Sequence, residues 1–318
     1  MENEALRICS DKNRGMRKYM EDEINIVTET EQVPITYLGV FDGHGGKEAA
    51  IYAREHLFQN IKTQPGFFDS DITKVKAAIR EGFLKTHADM FNIWLNRKDG
   101  HYSTSGTTAT VVIIRENKIF VAHVGDSTAV IVEKKDDLFV AESTVDHNPH
   151  NAEERSRIEQ MGGTVAKIRG VPRVICKTSV RQAITLAVSR ALGDLWSYDK
   201  NRRQFIVSPE PDIKHIDLIK NQHKFVILAT DGLWHVINPK QAIDIVYEYG
   251  LSNKSRRKNC SKYLVDEALI LWQKRREEAD NVSVIVAFFD DEFKTWTDDD
   301  NAESIASSEA NTSDNDTI

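Results

Sequence analysis

The chain has 318 residues, 40% of them hydrophobic and 29% charged, and its 42 Lys and Arg against 49 Asp and Glu give a net charge of −7. A chain of this length can bury about three quarters of its unfolded surface, so it needs no disulfide to form one large domain or two ordinary ones. The three widely separated cysteines (Cys9, Cys176 and Cys260), an N-terminus unlike a signal peptide and the lack of an apolar run near the ~20 residues of a spanning helix argue against secreted and membrane proteins.

The negative charge is concentrated near the C-terminus. Residues 290–318 contain ten acids and one Lys, a net charge of −9, so the preceding residues carry +2. After Trp296 the sequence is poor in large apolar residues and rich in Ser, Asn, Asp and Thr, a composition that cannot offset its ordering entropy. We therefore expect a folded domain over residues 1–290 and an acidic disordered tail over 291–318, which either solvates the protein or regulates it.

Strand and helix patterns run through the folded part without an internal repeat or a long linker. Apolar-rich runs predict strands at residues 35–41, 107–114, 118–124, 128–132, 138–143, 225–229 and 282–289. Helical periodicity and end signals predict helices at residues 47–61, 75–95, 152–161, 239–249 and 261–276. Because the strands come in consecutive runs and the helices cluster mostly apart from them, the order predicts an α+β fold rather than a wound βαβ sheet.

Three aspartates share one setting, since Asp42, Asp231 and Asp280 each adjoin a buried strand at a turn. Carboxylates fixed at strand ends are the oxygen ligands that Mg²⁺ and Mn²⁺ prefer. The glycines after Asp42 and Asp231 let a carbonyl or a substrate approach closely. A single Asp-Gly is usually only a turn. The three sites together, with the acidic pair Glu21 and Asp22, support a metal centre and ordinary turns about equally.

The motifs as a series resemble the metal-dependent PPM (type 2C) Ser/Thr protein phosphatases. They occur in the order of that family along residues 7–289: Arg17–Asp22, Phe41–Gly46, Ser105–Ala109, Val124–Ser127, Asp146–Pro149, Arg157-Ile158 with Gly162-Gly163, Ser189–Asp194, Thr230–Trp234 and Asp280–Ser283. The stretch at residues 191–199 is most similar to the delta branch, the stress-responsive nuclear phosphatases.

The resemblance implies a sandwich of two antiparallel β-sheets flanked by α-helices, with a two-ion Mg²⁺ or Mn²⁺ centre and a weaker third ion. It implies metal-binding roles for seven residues: Asp42 as the bridge between the ions, Asp231 and Asp280 at one ion, the Gly43 carbonyl at the other, Glu21 and Asp22 through waters, and Asp126 at the third ion. It also implies that Arg17 binds the substrate phosphate and that His44 is the general acid. Both roles suit the chemistry, since guanidinium binds phosphate oxygens bidentately and imidazole titrates near neutral pH.

Two features depart from the family pattern. The family usually has Asp where this chain has His235, which would alter metal affinity or pH dependence without inactivating the centre. Between Glu159 and Asp194 there are no acids but six bases: Lys167, Arg169, Arg173, Lys177, Arg181 and Arg190. These bases are either ordinary surface residues or a positive flap, in which Lys167, Arg169, Arg173 and Lys177 attract acidic or multiply phosphorylated substrates.

Other motifs are better explained by local structure. Residues 69–73 fit the Asp-x-Asp-x-Thr pattern of haloacid-dehalogenase-type phosphatases, but no hydrophobic strand precedes them, so a helix N-cap is the better interpretation. His147 and His150 are better explained as a polar loop than as a metal pair. The basic run at residues 254–258 fits a nuclear import signal and a solvated loop equally well.

These observations together predict a phosphatase that removes phosphate from Ser and Thr side chains of phosphorylated proteins by attack of a water activated by two metal ions. The resemblance to the delta branch suggests a role in stress or DNA-damage signalling. We expect a monomer in the nucleus or the cytoplasm that binds neither nucleic acid nor a membrane directly. The alternatives are a catalytically weak scaffold with the same fold and a phosphohydrolase of small molecules.

Overall fold

The computed structural model describes residues 6–31, 33–95, 104–135, 138–177, 183–219, 222–252 and 259–289. The predicted acidic tail and the basic run at residues 254–258 lie outside the described residues.

The described residues form strands and α-helices, both numbered here along the chain. The strands are β1 (Arg7–Asn13), β2 (Glu23–Glu29), β3 (Ile35–Phe41), β4 (Gly43–His44), β5 (Gly106–Thr107), β6 (Ala109–Arg115), β7 (Lys118–Val124), β8 (Thr128–Lys135), β9 (Leu138–Ser143), β10 (Thr164–Ile168), β11 (Val171–Lys177), β12 (Ala183–Leu186), β13 (Leu192–Gly193), β14 (Tyr198–Asp199), β15 (Gln204–Phe205), β16 (Asp212–Asp217), β17 (His223–Ala229) and β18 (Val282–Phe288). The helices are α1 (Glu48–Lys62), α2 (Ile72–Leu95), α3 (Ala152–Gln160), α4 (Asp231–Trp234), α5 (Pro239–Ser252) and α6 (Cys260–Arg275).

Two five-stranded antiparallel sheets form the centre of the structure. The first has the strand order β1-β18-β17-β8-β9 and the second β16-β7-β6-β3-β2. The sheets pack face to face through one apolar cluster, to which the second sheet contributes Leu38 and Val112 and the first contributes Ile131, Leu228 and Ile285. The two sheets therefore share a dry interface, as in other sandwiches of aligned sheets.

Helices cover the outer face of each sheet. The helices α1 and α2 pack on the second sheet through residues such as Leu57 and Phe83, and α5 and α6 pack on the first through Val246 and Leu264. Because helices cover one face and a sheet the other, every residue of β3 is buried, and its sequence is a continuous apolar run rather than an alternating one. The α+β sandwich flanked by helices is confirmed.

Side-chain caps begin two of these helices. The Asn151 side chain accepts a hydrogen bond from the backbone N–H of Glu153 (2.9 Å) at the start of α3. The Asp71 carboxylate accepts one from the backbone N–H of Thr73 (2.8 Å) at the start of α2. Residues 69–73 are thus a helix start, and the N-cap interpretation of the Asp-x-Asp-x-Thr pattern is confirmed.

The sequence pattern missed several strands that are largely half-buried or exposed. These are β1, β2, β16 and the three-stranded sheet β10-β11-β12. β1 and β2 lie at sheet edges and contain no buried residue; the exposed positions of β1 are polar, whereas β2 exposes Ile26, so neither strand shows a clear alternation of apolar and polar residues. The sheet β10-β11-β12 is formed by residues within 164–186, the segment expected to form a flap.

Candidate active site

Acidic residues from several strand ends meet in one cleft of about 300 Å³. Asp42 follows β3, Asp126 follows β7, Asp231 follows β17 and Asp280 precedes β18. The cleft is lined by these four carboxylates and by Arg17, Glu21, Gly43 and His44. The structure thus brings the sequence-predicted metal and catalytic residues together, with Asp22 buried behind them.

Burial, and after it repulsion between neighbouring carboxylates, raises the pKa values of Asp42, Asp126 and Asp231. Burial and then repulsion from Asp22, Asp231, Asp126 and Asp280 raise the pKa of Asp42 well above its usual range. Burial first, and then the charge of Asp231, raises the pKa of Asp126 to about 8. The pKa of Asp231 is also raised, by burial and then by Asp280. The acids in this cleft outnumber the positively charged side chains beside them, an arrangement that suits bound cations.

Asp22, behind the cleft, is also a buried acid whose charged form is poorly compensated, because only one of its two oxygens is hydrogen-bonded within the described part of the chain. Its Oδ2 accepts hydrogen bonds from the hydroxyls of Thr230 (3.0 Å) and Ser283 (2.8 Å), whereas its buried Oδ1 has no hydrogen-bond partner among the described residues. Burial raises the pKa of Asp22 to about 7, although the two hydroxyls oppose that shift. An unpartnered, buried carboxylate oxygen beside the cleft fits a site whose residues hold a hydrated cation.

Arg17 lies at the mouth of the cleft, with 54% of its side chain exposed, and pairs with one of the acids. Its Nε donates to Asp280 Oδ1 (2.8 Å) and its Nη2 to Asp280 Oδ2 (2.6 Å). Arg17, the residue predicted to bind phosphate, therefore contacts Asp280, a residue predicted to bind metal. Arg17 and a metal ion would compete for the same Asp280 oxygens.

His44 is held by a buried aspartate that the sequence did not identify as a functional residue. His44 Nε2 lies 2.7 Å from Asp194 Oδ2, and the indole N–H of Trp196 donates to Asp194 Oδ1 (2.8 Å). Burial opposes the charged imidazolium, but the charge and hydrogen bond of Asp194 outweigh it, so the pKa of His44 is raised. The contact with Asp194 therefore favours the protonated form of His44, the form that a general acid requires.

Gly106 makes this pair possible by leaving space beside it. A Cβ at Gly106 would lie 2.2 Å from Asp194 Oδ2 and 2.4 Å from His44 Nε2, far inside van der Waals contact. The strands β4, β5 and β13 pair around this point, so the backbone of Gly106 lies directly against the two side chains. Only glycine fits here without displacing the His–Asp pair.

Asn281 fixes the loop that carries Arg17 and Glu21. Its Nδ2 donates to the carbonyls of Arg14 (2.8 Å) and Tyr19 (3.1 Å), and its Oδ1 accepts from the Glu21 N–H (2.7 Å). This residue was present in the Asp280–Ser283 motif, but its positioning role depends on contacts with a loop far away in sequence. The signal available in the sequence was only its place next to Asp280.

The comparison with known proteins agrees with this geometry. The sequence model of the family described as protein phosphatase 2C matches residues 6–271. The chain belongs to the protein phosphatase 2C family. It is 34% identical over 276 residues to probable protein phosphatase 2C 71 of Arabidopsis thaliana, covering 86% of this chain and 54% of that protein. It is 33% identical over 277 residues to probable protein phosphatase 2C member 13, mitochondrial, of Oryza sativa subsp. japonica, covering 87% and 66%.

A solved structure shows the same fold. The serine-threonine phosphatase 2C of Toxoplasma gondii has a TM-score of 0.76 at 23% identity, with 89% of this chain and 94% of that chain covered. The chain thus spans about half to two thirds of the length of the first two curated relatives and nearly all of this solved chain.

Among the described basic residues that were predicted to form a flap, not all reach the cleft. Lys167 lies on β10, Arg169 at the following turn and Arg173 on β11, and of these Arg173 lines the cleft. Lys177 ends β11, but its side chain lies outside the described residues, as does Arg181. A positive group in this sheet therefore reaches the cleft at Arg173.

Arg190, the last base of that run, is not a substrate-facing charge. Its Nε and Nη2 donate to Glu154 Oε1 (3.0 and 2.7 Å), and its Nη1 donates to Asp212 Oδ1 (2.8 Å). The absence of acids between Glu159 and Asp194 was misleading here, because the neutralising acids come from other segments of the chain.

His235, where the family usually has Asp, is exposed at the end of α4. Its ring stacks on Trp272 with centroids 5.1 Å apart, and its carbonyl accepts from Arg275 (2.9 Å). Its charge is one of the influences that lower the pKa of Asp231, opposing the effect of burial. The substitution therefore places an imidazole rather than a carboxylate near Asp231.

A second cluster of possible ligands lies outside the cleft, at His123, His147 and Asp212. The two rings are stacked, with centroids 4.4 Å apart and planes 4° apart, so one ion cannot lie in both ring planes. Asp212 pairs with His147 (3.2 Å) and with Arg190, and His123 Nε2 lies 2.9 Å from the Val145 carbonyl. We interpret this cluster as structural. His150, by contrast, is exposed.

The described helices include none that is both long and apolar enough to cross a membrane.

Proposed function

We propose that this chain is a metal-dependent protein phosphatase that hydrolyses phosphoserine and phosphothreonine in proteins. The observation that carries the proposal is the cleft itself, where several crowded carboxylates lie beside a guanidinium and a His–Asp pair. Few other reactions need a cation site, a phosphate-binding Arg and a proton donor in one small cleft.

The residues fit two divalent cations, with Asp42, Asp231, Asp280 and the Gly43 carbonyl as candidate ligands. Mg²⁺ or Mn²⁺ bound there would activate a water and neutralise the oxygens of a phosphate monoester. Asp126, which also lines the cleft and whose pKa is raised by burial and then by the charge of Asp231, would support a weaker third ion.

The side chains of the cleft supply the remaining steps. Arg17 is exposed enough to turn from Asp280 towards the phosphate of a substrate, where its planar fork can bind two oxygens. His44, kept protonated by Asp194, can donate its proton to the oxygen of the leaving Ser or Thr, a contribution typically worth about 10²–10⁴-fold.

An assay of phosphate release from a phosphothreonine peptide tests the proposal, with Mn²⁺, with EDTA and with Asp231→Asn. We expect turnover with Mn²⁺ only, and calorimetry should show weaker Mn²⁺ binding to the Asp231→Asn protein. Asp217→Asn, an exposed acid on β16, is the matched control and should change neither measurement. Metal-independent turnover, or an Asp231→Asn protein as active as the parent, would refute the mechanism.

Two rival functions have different outcomes in the same experiment. A catalytically weak scaffold would bind Mn²⁺ without releasing phosphate. A phosphohydrolase of small molecules would turn over a small phosphate monoester at least as efficiently, by kcat/KM, as the peptide. The presence of every predicted carboxylate in the cleft or, for Asp22, directly behind it favours an active centre over the scaffold.

We further propose that the flap sheet favours acidic phosphoproteins through Arg173, with Lys167, Arg169 and Lys177 as weaker contributors. The support is that Arg173 lines the cleft from β11. Replacing Arg173 by Ala should raise KM for acidic phosphopeptides more than for neutral ones, whereas Lys167→Ala should have a smaller effect. Equal effects on both peptides would contradict a charge-based preference.

Finally, we propose membership of the delta branch and a monomeric protein that acts in stress signalling in the nucleus or the cytoplasm. The support is the sequence stretch at residues 191–199 and the basic groups of the flap segment. Imaging of a tagged chain before and after DNA damage tests the compartment and the link to stress. Size-exclusion chromatography with light scattering tests the monomer.

A further inference from the structure

Two of the three cysteines, far apart in sequence, meet in the fold. Cys9 lies half-buried on β1, and Cys260 is the buried first residue of α6, which packs against β1. Both are thiols, and their side chains are hydrogen-bonded to each other. The sequence spacing suggested unrelated cysteines, whereas the structure forms a dithiol at the edge of the first sheet.

The two sulfurs have different surroundings. The sulfur of Cys9 accepts hydrogen bonds from Cys260 and from the backbone N–H and hydroxyl of Ser261, in the first turn of α6. The N-terminus of a helix favours negative charge, and the guanidinium of Arg7 adds to this effect.

The ionisation of the pair follows from these contacts. The hydrogen bond from Cys260 is the largest influence, and although burial opposes it, the pKa of Cys9 is lowered to about 6. The pKa of Cys260 is raised by its bond to Cys9 and by burial. The two shifts favour the thiolate at Cys9, which is also the more exposed of the two residues, and the protonated thiol at Cys260.

We propose that Cys9 and Cys260 form a peroxide-reactive dithiol, in which Cys9 is the nucleophile and Cys260 the resolving thiol. This site is separate from the phosphatase cleft and does not depend on the proposed function. It combines three features expected of an oxidisable pair, namely a stabilised thiolate, a helix N-terminus and a second thiol within reach.

The reaction is balanced with hydrogen peroxide as the oxidant. The Cys9 thiolate attacks one peroxide oxygen, an S–O bond forms as the O–O bond breaks, and the leaving hydroxide takes up a proton to become water. The Cys260 sulfur then attacks the sulfur of the Cys9 sulfenic acid, which releases a second water. Two thiols and one peroxide thus give one disulfide and two waters.

Mass spectrometry of the full chain tests this site without any phosphatase assay. The reduced protein in EDTA is treated with one equivalent of hydrogen peroxide. We expect a loss of two hydrogens from the intact mass, a disulfide-linked peptide pair containing Cys9 and Cys260, and reversal by dithiothreitol. Cys176→Ser, which also removes one cysteine, should form the same bond.

Single variants assign the two roles. Cys260→Ser should accumulate a dimedone-reactive sulfenic acid at Cys9. Cys9→Ser should slow peroxide consumption about tenfold or more near pH 7.5, because an ordinary thiol is mostly protonated there. If a variant does not fold, the relative rates of N-ethylmaleimide labelling in the unmodified chain replace it, with Cys9 expected to react before Cys260.

Three outcomes would overturn the proposal. One is a disulfide that includes Cys176, and another is oxidation of Cys9 that proceeds to sulfinic acid without a cross-link. The third is an unmodified Cys9 after a peroxide treatment that oxidises Cys176.

Discussion

Among the described residues, the carboxylates of the cleft and the ion pairs around Glu154 are built in opposite ways. In the cleft, Asp42, Asp126 and Asp231 lie among other acids, and their pKa values are raised. Beside the flap, Glu154 accepts hydrogen bonds from Arg157, Arg190 and Ser189, and these contacts outweigh burial and hold its pKa at about 2. The first cluster lacks a partner that the second already has, so the first is suited to bind a cation and the second to hold the fold together.

The two clusters also differ in what positions them. The carboxylates of the cleft stand at the ends of strands whose interiors are fully buried, so core packing sets their spacing despite their mutual repulsion. The Glu154 cluster is positioned by its own ion pairs, which join α3 to Arg190 and through it to Asp212 at the start of β16. Removing a charge should therefore have opposite consequences in the two places.

The largest expected effect is that of Asp42→Asn. Loss of the central carboxylate should lower kcat/KM by about 10³-fold, because the cation site loses its central ligand. The same change should raise the melting temperature measured in EDTA, because it relieves repulsion among buried acids. Differential scanning calorimetry and the peptide assay measure the two effects. A fall in both activity and EDTA stability would show that Asp42 acts mainly in folding.

Glu154→Gln is the corresponding test of the compensated cluster. Removing one partner of a buried pair leaves Arg157 and Arg190 without their shared carboxylate and should cost about 3 kcal/mol of unfolding free energy. Urea denaturation measures this loss, and activity per folded molecule should stay within about twofold, because Glu154 does not line the cleft. Glu153→Gln, the exposed neighbour in the same helical turn, is the control and should be nearly neutral.

Asp194→Asn should have an effect between these two, because Asp194 is a buried acid that contacts the cleft residue His44 and thus already has a partner. His44 must be protonated to act as an acid, and Asp194 raises its pKa. Activity should therefore disappear as pH rises through that pKa, and the variant should lose it at lower pH, with kcat reduced about 10²-fold. A pH–rate profile checks both changes. Trp196→Phe, which removes only the other hydrogen bond to Asp194, should shift the profile less.

The stability of the protein in EDTA should depend on pH because the folded state raises the pKa values of two of its acids. The folded pKa of Asp22 is about 7 and that of Asp126 about 8, both above the unfolded value, so the folded state holds protons that the unfolded state has released. Their stabilising contribution is present at low pH and is lost as pH rises through 7 and 8. We expect the melting temperature in EDTA to fall by roughly 5 °C between pH 5.5 and 8, and Mn²⁺ to reverse the fall. An unchanged melting temperature would contradict the crowding.

Local signals predicted the elements whose sequences are strongly patterned. The strand at residues 35–41 was predicted with the bounds it has, and Asn238-Pro239 correctly marked the start of α5. No comparable sequence signal predicted which side chains pair with residues far away in the chain. Asp194 is 150 residues from His44, and the sequence contained nothing to connect them. The same holds for Glu154 and Arg190 and for Cys9 and Cys260, because side-chain pairing depends on tertiary packing rather than on local periodicity.

The smallest effect should come from the acidic tail. Residues 290–318 carry a charge of −9, which dominates the net charge of the chain, whereas the preceding residues carry only +2, and among these it is the cleft that concentrates acids. If residues 291–318 are a disordered appendage, deleting them should leave kcat and KM for a neutral phosphopeptide within about twofold, because screened charges on a mobile segment act weakly at a distance. For an acidic phosphopeptide at low salt, the deletion should lower KM slightly, since repulsion from the tail is removed. A large change in kcat would mean that the tail contacts the cleft, and the boundary at residue 290 would then no longer separate the catalytic unit from an appendage.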